Sequence, residues 1–226
     1  MPKITRAVAI KNCQFKRLIQ ITAATSRHFQ RDILVLMLGH HAALRITETS
    51  RITVADVMYA SGKLKREISL REAVTKGAKQ RCAYLSSKPL IEALETYLAH
   101  RLERGIGTEL NETAYRGLYP HSPLIFSGRG SGMSQNTKRR TATSGEVVDY
   151  RACDSLQAHV TKLYAKAGIK GGSSHSGRRS FAVKILNRTG DMDLVAQLLG
   201  HDDIGVSARY VDLQPRILCE MFENAV

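Results

Sequence analysis

The chain has 226 residues, with 34 Lys and Arg against 20 Asp and Glu, a formal net charge of +14 and a pI near 9.9. Its length is enough to bury one sizeable core, and 43% hydrophobic content excludes wholesale disorder. The charge excess points to a polyanionic partner, nucleic acid first, and no apolar run approaches the roughly 18 to 20 residues that span a bilayer. The N-terminal stretch MPKITRAVAIKNCQFKRLIQ lacks the apolar run and cleavage site of a secretory signal. Cys13, Cys82, Cys153 and Cys219 stand apart, with no CxxC and no nearby paired histidines. That spacing argues against structural zinc and fits a reducing, cytoplasmic compartment.

In chain order, residues 1–24 carry Lys3, Arg6, Lys11, Lys16 and Arg17 on a modestly apolar background and read as a basic arm. Thr25 and Ser26 offer N-caps for a strong helix over SRHFQRDILVLMLGHHAAL. A second short helix is expected over residues 47–54. Strand-like pieces follow at VMYA, KREISL and RCAYL, punctuated by Ser61-Gly62 and Lys76-Gly77. Pro89 opens a helix to about Arg104, with Leu90, Leu94, Tyr97 and Leu98 at helical spacing. Residues 105–122 are a long connection leading to a buried strand at 123–127. The Gly/Ser/Thr-rich stretch 127–145, with its Lys138-Arg139-Arg140 cluster, reads as a loop. From Ser155 onward only helices are expected, over 155–167, 176–188, 191–199, 203–210 and 216–223. The fold class is mixed, mainly α-helical, with a small antiparallel β-sheet in the first half.

The last third holds the chemically informative residues. His175 and Arg178 stand three apart in SSHSGRRSF, which on a helix puts them on one face. In QLLGHDDIGVSARY an apolar stripe ends at Gly200, a natural C-cap, with His201 next and Tyr210 nine residues on. Upstream, Arg45 follows the first strong helix, with Glu48 three residues later. Together these pieces resemble the tyrosine recombinase (phage integrase) family, over about residues 25–215 and in the family's order. Its pattern is an arginine with a nearby acid, a hairpin lysine, His-x-x-Arg, Leu-Gly-His and then a tyrosine. HxxR or LGH alone is a weak signal; the ordered set in a strongly basic chain is specific.

The resemblance implies the tyrosine recombinase catalytic-domain fold and a catalytic set of Arg45, Lys76, His175, Arg178, His201 and Tyr210. A DNA phosphodiester is anionic and repels nucleophiles, so two arginines suit the task of neutralising its nonbridging oxygens. Tyr210 would then attack phosphorus to give a 3′-phosphotyrosine, with His175 as base, Lys76 as acid to the departing 5′-oxygen and His201 bonding the phosphate. No metal or other cofactor is implied. Taken singly, each residue has an ordinary reading: Tyr210 as a half-buried helix tyrosine, Arg45 as an ion-pairing partner of Glu48, Lys76 as a solvated turn residue. Lys79 competes with Lys76 for the hairpin role, although the Lys-Gly turn of TKGAKQR favours Lys76. Lys79, Arg81, Lys138, Arg139 and Arg140 are candidate DNA contacts, and for Lys138-Arg139-Arg140 a solvated loop is an equal reading. His40-His41 has no partner at metal-ligand spacing.

The expected organisation is a basic arm over 1–24, a catalytic domain over 25–215 and a C-terminal helix over 216–226. Most family members carry a helical DNA-gripping domain before the catalytic pattern, which only about 25 residues precede in this sequence, so the chain is expected to resemble a catalytic-domain-only member. On the C-terminal segment Ile217, Leu218, Met221 and Phe222 share a helical face that packs either on its own domain or on a neighbouring subunit. Double-stranded DNA is the expected partner, bound as a homo-oligomer (a tetramer in the family) in the bacterial nucleoid, with an accessory DNA-bending or DNA-binding protein possible. The alternatives are a type IB topoisomerase-like strand transferase and a DNA-binding protein of the same ancestry that no longer exchanges strands.

Overall fold

The computed structural model describes residues 7–70, 81–109, 113–141 and 147–200. The organising element is α2 (Phe29–His41), where Leu34 to Leu38 are buried in succession. A helix apolar on every side must be surrounded, and α2 packs against α1 (Asn12–Thr25), α5 (Lys88–Glu103) and α7 (Ser176–Thr189). Two short helices, α3 (Ile46–Arg51) and α4 (Val54–Val57), follow, then the antiparallel pair β1 (Glu67–Leu70) and β2 (Arg81–Tyr84). A second pair, β3 (Asn136–Thr141) and β4 (Val147–Ala152), precedes α6 (Asp154–Lys166), α7 and α8 (Met192–Leu199). Among the described residues no helix is long and apolar enough to cross a membrane.

Four expectations change. Much of the supposed basic arm is α1, whose Phe15, Leu18 and Thr22 are buried at helical spacing while Lys11, Lys16 and Arg17 stay exposed. Residues 57–60 are not a strand: Asp56 accepts hydrogen bonds from the Thr53 N–H and hydroxyl, capping the single turn of α4. Leu124, Ile125 and Phe126 are buried as expected, but only isolated bridges, Thr53 to Pro123 and Phe126 to Gly132, form there. The stretch 127–145 contains a strand, with Lys138 opposite Tyr150 and Arg139 opposite Asp149. Among the described residues the sheet is therefore two separate antiparallel pairs. Where the stretch read as a loop, its Gly and Ser residues concealed the β-favouring Thr137 and Thr141.

The interior has fixed polar contacts. His40 is buried and its Nε2 lies 2.7 Å from the Tyr164 hydroxyl. Burial, with help from the nearby His41 and Lys184 charges, pushes the imidazole pKa down to about 3, so it stays neutral. His41 instead meets the Ser87 hydroxyl at 2.9 Å. Arg101 is fully buried and donates to the carbonyls of Ile106, Pro123 and Leu124 and to the Ser122 hydroxyl, tying α5 to the 123–126 segment.

The α2–α7 contact is set by two glycines. A Cβ on Gly177 would lie 2.8 Å from the Gly39 carbonyl carbon and 3.1 Å from the His40 nitrogen, both backbone. A Cβ on Gly39 would meet only the Gly177 Cα, at 3.8 Å. The two substitutions should therefore differ in sign. Gly177→Ala should cost about 1 to 3 kcal/mol by forcing the helices apart. Gly39→Ala should be neutral or gain up to about 1 kcal/mol from helix propensity. Urea denaturation of both variants is the check; equal effects would mean the glycines do not set this spacing.

Candidate active site

The Gly39–Gly177 contact brings the end of α2 against the start of α7, and α8 packs on α7 and on Ala43 in the turn after α2. A small core of Ala43, Ala182, Leu186, Val195 and Leu199 seals the junction. Asp191 caps α8 by accepting the Leu194 N–H, and Gly200 ends it in the left-handed conformation at φ 60°. The terminal carbonyls of α8 have no partner within the helix and carry its partial negative charge. They point into a cluster of three arginines.

Arg45 sits at the N-cap of α3, its side chain about one-fifth exposed. Its Nη1 meets Glu48 Oε1 at 2.8 Å and its Nη2 reaches the Gly200 carbonyl at 3.3 Å. Glu48 also accepts the Arg45 backbone N–H at 2.7 Å, so one carboxylate fixes both ends of the residue. Arg178, in the first turn of α7, is only 1% exposed and donates to the carbonyls of Ala43 and Leu199. His175, the N-cap residue of α7, is exposed. The two arginines therefore lie at different depths, Arg45 towards solvent and Arg178 beneath.

The third arginine is Arg81. Read from sequence as a DNA contact, it turns inward instead: its side chain is 8% exposed and its Nη2 lies 2.5 Å from Glu48 Oε2. Arg139 is exposed and paired with Asp149 across the strands. Lys138 reaches Asp154 at 2.6 Å. These two remain on the surface as candidate phosphate contacts; Arg140 is on the same strand. Lys76, Lys79, His201 and Tyr210 lie outside the described residues, as does the 216–226 segment. Sequence reasoning missed the carbonyl of Ala43, which accepts from both Arg178 and Arg81. Ala43 takes φ 52°, a region L side chains rarely adopt, and nothing in its residue type signals that.

Glu48 is fully buried. Burial alone would raise its pKa, but the charges of Arg81, Arg45 and Arg178 outweigh that and hold it below the ordinary glutamate value. Three guanidiniums thus lie around one carboxylate beside the end of α8, with Arg45 the most exposed of them. Such an arrangement suits a phosphodiester and its more highly charged transition state.

A family model described as the phage integrase family matches residues 9–216. The chain belongs to that family. Among curated relatives, the tyrosine recombinase XerC of Pelobacter propionicus is 26% identical over 195 residues, covering 86% of this chain and 52% of that protein. The tyrosine recombinase XerA of Pyrococcus furiosus is 25% identical over 227 residues, covering 99% of this chain and 64% of the relative. The chain thus spans between about half and two thirds of the length of these relatives. The crystal structure of XerA recombinase superposes with a TM-score of 0.66 at 22% identity, covering 96% of this chain and 64% of that one. XerH bound to its difH substrate after cleavage gives 0.65 at 17%, covering 96% and 52%. At these identities the likeness shows a shared fold, mainly helical with small antiparallel sheets.

The ion pairs of Glu48 set a pH dependence. Because folding lowers its pKa, ionised Glu48 stabilises the fold above the ordinary carboxylate range. That contribution is lost as pH falls through the lower, folded-state value. Glu48→Gln should therefore be clearly less stable than the parent at pH 7, with the gap narrowing as the solution is acidified below pH about 4. Chemical denaturation at several pH values measures it, and a gap that stays constant would place the carboxylate's importance elsewhere.

Proposed function

We propose that this chain is the strand-transferring part of a site-specific recombinase acting on double-stranded DNA. The observation that carries the reading is the meeting of Arg45 and Arg178 at the end of α8. Distant in sequence, they donate to the adjacent carbonyls of Gly200 and Leu199, immediately before His201 in the chain. Membership of the phage integrase family supports the same chemistry.

In this reading the scissile phosphate lies over Arg45, with the buried charge of Arg178 behind it, little screened by solvent. The Tyr210 oxygen attacks phosphorus, forming a P–O bond to the phenol as the bond to the 5′-oxygen breaks. The phenolic proton passes to His175, and Lys76 supplies a proton to the departing 5′-oxygen. His201 hydrogen-bonds the phosphate. The 3′-phosphotyrosine conserves the bond energy, so a 5′-hydroxyl attacks it and rejoins the DNA without ATP. Lys138, Arg139, Arg140 and Lys79 contribute phosphate contacts away from the reacting centre. Several copies assemble on paired sites, with residues 216–226 packing on a neighbour.

A suicide substrate, nicked near the cleavage site, tests the nucleophile. The parent chain should form an SDS-resistant protein–DNA band in excess EDTA, because arginines supply the charge. Tyr210→Phe should bind the same DNA and form none. A band from the Phe variant, or one that requires added magnesium, would count against the mechanism. Sizing the same complexes by light scattering checks assembly, which should shrink to single occupancy when residues 216–226 are removed.

The acid is tested by replacing the bridging 5′-oxygen with sulfur, a leaving group that needs no proton. Lys76→Ala should be slow on ordinary DNA and recover on the sulfur substrate. Recovery by Lys79→Ala instead would move the role to that residue.

A further inference from the structure

Arg81 is the first residue of β2, paired across the strands with Leu70. Its guanidinium is enclosed by groups from three other parts of the chain. Beside the 2.5 Å contact to Glu48 Oε2, its Nε lies 3.3 Å from Glu48 Oε1. Its Nη2 donates to the Ala43 carbonyl at 3.3 Å, in the turn after α2. Its Nη1 approaches the Leu198 carbonyl, at the end of α8, at 3.4 Å. The stem runs across Gly200, where a Cβ would stand 2.7 Å from Arg81 Cδ. Gly200 thus answers two demands, a left-handed turn and a seat for this side chain.

We propose that Arg81 is a positioning residue for the strand-cleavage reaction, fixing Arg45 through Glu48 and holding the end of α8 against the β1–β2 pair. The proposal rests on the recombinase reading above. Glu48 is the shared element: it holds Arg45 by its side chain and its backbone N–H, and Arg81 by two further contacts. Without Arg81, the buried carboxylate leans on its hydrogen bonds to Arg45 and draws that guanidinium inward, away from the phosphate. The Leu198 carbonyl loses its tie to β2 as well. Lysine is no substitute, because one ammonium at the end of a flexible stem does not reproduce a planar fork reaching three segments.

The experiment separates binding from the chemical step. Affinity is measured in a Tyr210→Phe background, and adduct formation in single turnovers at saturating suicide substrate. Arg81→Lys should bind within about threefold of its parent, with an unchanged salt slope, because no phosphate contact is lost. Its adduct rate at saturation should fall on the order of 10²-fold, as expected for misplacing a group by about an ångström. Circular dichroism melting confirms that the variant is folded. If Arg81→Lys does not fold, Arg81→Gln, whose shorter planar amide cannot reach all three segments, takes its place and should be equally slow. A parallel loss of affinity with a shallower salt slope would make Arg81 a DNA contact and overturn the proposal. So would an adduct rate that matches the parent's, or one that falls only with the unfolded fraction. Failure of the parent itself to form an adduct would overturn the recombinase reading instead, which keeps the two failures distinct.

Discussion

The site depends on a single buried carboxylate. Glu48 is inaccessible to solvent and holds Arg45 on one side and Arg81 on the other. A lone charge there would be costly, and two arginines alone would repel each other, so the three stand or fall together. Arg45, Arg81 and Arg178 also donate to neutral backbone carbonyls, those of Ala43, Leu198, Leu199 and Gly200, which fix the direction of their charge. Guanidiniums held in a fixed direction suit the stabilisation of a phosphoryl transition state.

Several packing choices far from Glu48 serve that arrangement. The close approach of Gly39 to Gly177 lets α7 deliver Arg178 beside Ala43. The αL turn at Gly200 stops α8 where its carbonyls face the arginines. The hydroxyl of Ser180 accepts the Ile10 N–H, so the segment before α1 is tied to the same helix. The N-terminal region is thus part of the scaffold that holds α7.

Much of this was legible in the sequence, and the reasons for the rest are physical. The continuous apolar run of α2, Pro89 at the start of α5 and Gly200 after α8 are local signals, and each element formed within a residue or a few of its expected place. Arg45 with Glu48 was readable because the two are three residues apart. Arg81 was misjudged because a basic residue near a hairpin usually faces water, and its partners Glu48, Ala43 and Leu198 are distant in sequence. The burial of Arg178 escaped for the same reason: HxxR fixes a helical face, while depth is set by what α2 and α8 lay over it. α1 was concealed by composition, since its three buried positions are outnumbered by charged and polar ones.

The most direct test of the proposed chemistry is to identify the atom that becomes bonded to DNA. The covalent complex trapped on a nicked substrate is digested with trypsin and nuclease, and the modified peptide is sequenced by mass spectrometry. Cleavage after Arg209 and Arg216 releases Tyr210-Val211-Asp212-Leu213-Gln214-Pro215-Arg216, or a longer fragment if the nucleotide on Tyr210 hinders the cut after Arg209. The expected result is a nucleotide joined through its 3′-phosphate to Tyr210. A nucleotide on any other residue, or a 5′-phosphate linkage, would contradict the mechanism.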